Sequence, residues 1–117
     1  MHDSDFAFTL QALDRAAKVV YQTMAPTPQF AWPLLAAELG AEVLVKHENF
    51  TPTGAFMLLG GLVYFNDLAG GARPAGVFIA TPCNLVPSVG FASPMTLLSS
   101  QFVLPHCDCL SIITFGR

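Results

Sequence analysis

The stretch "HENFTPTGAFMLLGGLVYFNDL", residues 47–68, decides how this chain is read. A polar run closes on proline and glycine, and the segment that follows carries no charge until Asp67. "FTPTG" has the chemistry of a turn, and Thr53 is placed to cap a helix predicted over residues 54–68. The glycine pair at 70 and 71 predicts where that helix stops. A helix that starts just after a strand presents backbone N–H groups at its mouth, which suits an anionic group. Gly54 lets the backbone approach a ligand, and Gly60 and Gly61 let the helix approach a neighbour. Phe56 offers a flat aromatic face. The plainer reading makes Phe56, Met57, Leu58, Leu59, Leu62, Val63 and Phe65 a buried apolar helix and nothing more. No side chain from Phe56 to Val63 can act as acid, base or nucleophile, and Tyr64 is the first that titrates.

Upstream, "AEVLVKHEN" predicts a strand with Val43 and Val45 facing one way and Leu44 and Lys46 the other. Residues 9–24 read as an amphipathic helix capped by Thr9, with Leu10, Leu13, Ala17, Val20, Tyr21 and Met24 at helical spacing. Pro26 and Pro28 end it in an extended segment. "WPLLAAELG" predicts a short helix closed by Gly40. Downstream, "AGVFIA" is nearly all apolar, the mark of a strand buried on both faces. "VPSVGFA" predicts a short helix ahead of Pro94, and "SQFVLP" and "LSIITF" predict strands. Strands alternating with helices favour an α/β unit with a parallel sheet.

Composition narrows the choice of partners. The chain has 117 residues, of which 53% are hydrophobic and only 11% charged. A soluble domain is ordinarily about 25% charged, so surface-forming residues are scarce. After Glu48 the charged residues are Asp67, Arg73, Asp108 and Arg117 alone, which implies a second half that is buried or meets another chain. The net charge of −3 and the scattered cations argue against nucleic acid. The N-terminus has no basic region before an apolar one, so no secretory signal is expected. Pro82, Pro87 and Pro94 interrupt the uncharged run over 74–105, which argues against a spanning helix. The odd set Cys83, Cys107 and Cys109 points to reduced thiols and a cytoplasmic protein. "PHCDC" places His106, Cys107, Asp108 and Cys109 side by side, but structural zinc sites space their cysteines differently. No metal site is expected, and a small metal-binding protein using residues 106–109 is kept as an alternative.

The run "VVYQTMAPTPQFAWPLLAAELGAEVLVKHENFTPTGAF" followed by "GGLVYF" resembles the N-terminal part of threonine dehydratase and its relatives. The match is nearly continuous from Ala16 to Phe65 and weaker through "GVFIATPCN". These are pyridoxal 5'-phosphate enzymes of the tryptophan synthase β-like fold type. The resemblance implies an α/β fold, here a partial parallel sheet with flanking helices. Residues 16–93 would form the enzyme's N-terminal and small-domain region, and 94–117 a diverged tail. It implies a lyase that removes water and then ammonia from a hydroxy amino acid, with an amino-acid substrate.

The resemblance also assigns positions. Met57 occupies the place of the Schiff-base lysine, so no catalytic residue is expected. Phe56 and Asn84 fall at cofactor-binding positions, and Thr81 and Ser88 at substrate-binding ones. Pro82, Cys83 and the run Leu85 to Pro87 depart from the Gly-Asn loop of the family. A thioether has no nitrogen to condense with an aldehyde and cannot take up a substrate proton. The glycine-rich phosphate loop and the partner of the pyridine nitrogen belong further along than this sequence runs. The expectation is a chain without lyase activity. Lys46 lies on the strand rather than at the helix mouth and does not replace the missing lysine. His47 and Glu48 are expected to orient the loop rather than perform acid–base work. An alternative of a different class is a non-catalytic module that docks on a full-length homologue, or on a copy of itself, through its apolar second half.

Overall fold

Thr9 opens the first helix as its spacing predicts. Its Oγ1 accepts from Ala12 N at 3.1 Å, and α1 runs Leu10–Thr23. The structure, a computed structural model, describes residues 9–71, 76–81, 83–106 and 109–115, with the backbone alone beyond residue 103. The prolines after α1 turn the chain into β1 (Gln29–Ala31). A short helix α2 (Pro33–Leu39) follows, with proline in its first turn and Gly40 at φ 64° closing it. That left-handed backbone is where glycine is least strained. Strand β2 (Leu44–Lys46) returns antiparallel to β1, pairing Gln29 with Lys46 and Ala31 with Leu44. Its alternation is as expected: Val43 and Val45 are half-buried, Leu44 and Lys46 exposed.

A 3-10 turn (Glu48–Phe50) and a tight loop lead into α3 (Met57–Gly70). The helix starts later than the predicted residue 54. Gly54 sits at φ 71°, a left-handed conformation that no helical residue adopts. Thr53 does not cap, and its Oγ1 is buried with no hydrogen-bond partner among the described residues. Thr51 braces the loop instead: its hydroxyl accepts from Ala55 N and donates to Ala55 O, both at 2.9 Å. The helix also runs past the predicted residue 68, through Gly70, and stops at Gly71, whose N donates to Asp67 O at 3.1 Å.

The second sheet is built from β3 (Gly76–Ala80), β4 (Ser99–His106) and β5 (Cys109–Phe115), in that order. Strands β3 and β4 are parallel and joined by α4 (Leu85–Ala92) and a 3-10 turn (Ser93–Thr96), so a βαβ crossover is present. Strand β5 runs antiparallel to β4, and β1 and β2 form a separate ribbon, so the sheet is mixed rather than parallel throughout. Strand β3 is not buried on both faces. It stands at the edge of its sheet, where Val77 and Ile79 pack on the core while Phe78 is 64% exposed.

The core lies where α1, α3, α4 and β4 meet. Val20, Met24, Leu58, Leu62, Phe65, Val89, Ala92, Leu98 and Phe102 form it. Within α3 the buried set is Leu58, Gly61, Leu62 and Phe65, the i, i+3, i+4, i+7 stripe of a helix with one buried face. Burial of each large side chain there contributes about 1.5–3 kcal/mol. The ribbon half is different: α2 buries none of its residues, and Leu34 is 87% exposed. The radius of gyration is 17.5 Å, against about 13 Å for a compact chain of this length. No helix among the described residues is long and apolar enough to cross a membrane.

Candidate functional site

The positions singled out in the sequence lie in two places, at the start of α3 and just ahead of and within α4. Met57 is the first residue of α3 and is half-buried. Phe56, just before it, is 64% exposed. Asn84 precedes α4, and its side chain makes no capping bond. Ser88 is fully buried, and its Oγ donates to Asn84 O at 2.8 Å. The two helices touch where Gly61, one turn into α3, faces Ser88. A Cβ built on Gly61 would stand 3.4 Å from Ser88 O. Gly61 therefore permits the close helix approach expected of the glycine pair. Gly60 does not share that role, since a Cβ there meets nothing within 4 Å. It lines an apolar groove between α1 and α3 of about 590 Å3, with Val20, Tyr21 and Val63.

Thr81 and Cys83 form a small polar pair ahead of α4. Their Oγ1 and Sγ are 2.9 Å apart, and Cys83 N donates to Thr81 Oγ1 at 3.3 Å. The Thr81 hydroxyl, with help from the Leu85 backbone, holds the exposed Cys83 thiol below its ordinary pKa. Pro82 lies outside the described residues. So do Cys107 and Asp108 and the side chains of His106 and Cys109. Among the described residues no cluster of His, Cys, Asp or Glu is arranged to hold a metal ion.

The donors at the mouth of α3 do not fit a covalently held pyridoxal phosphate. Met57 supplies no nitrogen. The N–H of Ala55 is engaged by Thr51 Oγ1 at 2.9 Å, and those of Leu58 and Leu59 by the carbonyls of Ala55 and Phe56 at 3.3 and 3.1 Å. The backbone groups that make a helix start attractive to an anion are in large part already paired.

A polar network that the sequence reading missed ties the ribbon together. Lys46 Nζ meets Glu48 Oε1 at 2.8 Å and also contacts Thr27 Oγ1. Thr27 Oγ1 donates to the same Glu48 oxygen at 3.0 Å. The available signal was the Lys46 and Glu48 pair two residues apart at a strand end, which places both on one face. Thr27 lies far away in sequence and gave none. The Lys46 ammonium holds the Glu48 carboxyl below the usual carboxylate range, Thr27 assists, and burial opposes both. A carboxylate with a depressed folded pKa adds stability above its unfolded value of 4.5 and loses it as pH falls through the lower folded value. Acid titration of stability is therefore expected to show a loss below about pH 4.5 that flattens in Lys46→Met. Both side chains are partly exposed, so the effect is small and screened by salt. Chemical denaturation at several pH values checks it.

No family model matches the chain. Over 79 residues it is 30% identical to an L-threo-3-hydroxyaspartate ammonia-lyase of a Pseudomonas species. The likeness is to an ammonia-lyase. The aligned part is 68% of this chain and 25% of the relative, so the chain spans a quarter of the length of the curated relative it matches.

Proposed function

We propose that the chain derives from a pyridoxal-phosphate-dependent ammonia-lyase for hydroxy amino acids, of the threonine dehydratase-like kind, and that it has no lyase activity. The tryptophan synthase β-like fold type and a cytoplasmic location belong to the same reading. Met57 as the first residue of α3 carries it. The likeness to an ammonia-lyase supplies the chemistry, and a thioether at the Schiff-base position removes the group that would anchor the cofactor. What the chain's residues do is structural. Thr51 rigidifies the loop ahead of α3, and Ser88 and Gly61 hold α4 against it.

The test is incubation with pyridoxal phosphate, reduction with borohydride and peptide mapping. No reduced adduct is expected at residue 57, and no ammonia release from threonine, serine or 3-hydroxyaspartate. A single trapped lysine accompanied by turnover would overturn the inactive reading.

A docking module for a longer homologue is the second reading, favoured by apolar side chains left in solvent. Phe30, Trp32, Leu34 and Leu39 in the first half, and Phe78 and Leu97 in the second, are all exposed. Co-purification with such a homologue at fixed stoichiometry supports docking, and aggregation of the chain by itself opposes it.

A further inference from the structure

We propose that His47 is a pH-sensitive latch that pins the start of α2 to the end of β2. Trp32 Nε1 donates to His47 Nε2 at 3.1 Å. An indole nitrogen is a donor only, so Nε2 presents its lone pair and the imidazole proton sits on Nδ1. The ring lies among Phe30, Trp32 and Phe50, with centroids 5.4, 5.7 and 6.1 Å away. Trp32 is the residue that precedes α2, and its backbone N donates to Val43 O at 3.2 Å. Since α2 buries none of its residues, this side-chain bond adds to the Trp32 N–Val43 O bond in holding its entry.

Protonation converts Nε2 from acceptor to donor and sets two N–H groups against each other. The Trp32 bond is then lost, while the charged ring keeps aromatic faces to rest on. Among the described residues the groups around it are few. Strand β1 brings Gln29, Phe30 and Ala31, none of them titratable in this range. Helix α2 brings Glu38, which lines the same groove as His47, Trp32 and Val45. Strand β2 brings Lys46 and the 3-10 turn brings Glu48, and these two are paired with each other. Acidification thus acts on the Trp32 bond through His47 itself and loosens α2 without touching the core of α3 and α4.

Trp32 is the one tryptophan in the chain, so its emission reads the latch directly. Acidification from about pH 8 to about pH 5 is expected to quench and red-shift that emission. His47→Gln keeps an acceptor for the indole and does not titrate, and a flat profile is expected. Glu38→Gln is expected to retain the transition. A flat profile in the unmodified chain, or a transition that persists in His47→Gln and so belongs to His2 or His106, overturns the proposal. Hydrogen exchange of the unmodified chain, corrected for intrinsic pH dependence, gives a reading that needs no variant. Protection is expected to fall in α2 on acidification and to hold in α3, and a uniform change across both overturns the latch.

Discussion

Phe65→Ala is expected to lower the stability of the fold by about 3–5 kcal/mol. Phe65 is fully buried, as are its neighbours Leu58 and Phe102, and it sits in the stripe through which α3 contacts the rest of the core. Truncation removes the transfer free energy of the ring and leaves a void that α1, α4 and β4 must close together. Those elements are fixed to one another by close helix packing and a strand ladder, so collapse into the void is limited. Domains of this size have about 5–15 kcal/mol in all. Among the described residues the buried core forms a single cluster, drawn from α1, α3, α4 and the β4 region, so the loss takes a large share of that stability. Denaturant unfolding followed by circular dichroism measures it. A change under about 1 kcal/mol, the range of conservative swaps, would show that Phe65 is not the keystone of this cluster.

The second large effect separates two adjacent glycines. Gly61→Leu is expected to destabilise by about 1–3 kcal/mol, because its first added atom already stands in contact with the Ser88 backbone and leucine adds further carbons beyond that contact. Gly60→Ala is expected to change stability in the opposite direction by up to about 1 kcal/mol. A Cβ there meets open space, and alanine restricts the unfolded chain more than glycine does. Thermal or denaturant unfolding of the two variants, side by side, reads the difference in sign. No loss at Gly61 would mean that the helix approach at Gly61 and Ser88 is not close, and a loss at Gly60 would mean that the space beside it is not open. The comparison also bears on the site, since Ser88 is held by the same contact at a position assigned to substrate by resemblance.

Local pattern carried much of this fold. Helices α1 and α2 were legible because Thr9, Gly40 and the flanking prolines act within a few residues of where they stand. The alternation in β2 was legible for the same reason. The start of α3 was not, because the positive φ of Gly54 and the hydroxyl of Thr51 together decide it, and Thr53 was the more obvious cap. The exposed face of β3 was misread because a run such as "GVFIA" looks alike at a sheet's edge and at its centre, and tertiary pairing decides which it occupies. At the site, the identity of Met57 is read directly from the sequence, and its assignment to a Schiff-base position rests on the resemblance alone. That Ser88 turns its hydroxyl back to Asn84 O depends on how α4 closes its first turn, and no spacing in the sequence announces it.

The unequal distribution of buried side chains has a consequence for cooperativity. A chain whose core joins α1, α3, α4 and the β4 region, while β1, α2 and β2 form a ribbon held by a short ladder and a few polar links, is not one unfolding unit. The ribbon opens at a smaller free energy than the rest, as segments with few buried contacts do. Probes on the two halves then report different midpoints, and an all-or-none description fits neither. Trp32 belongs to the part that lets go first.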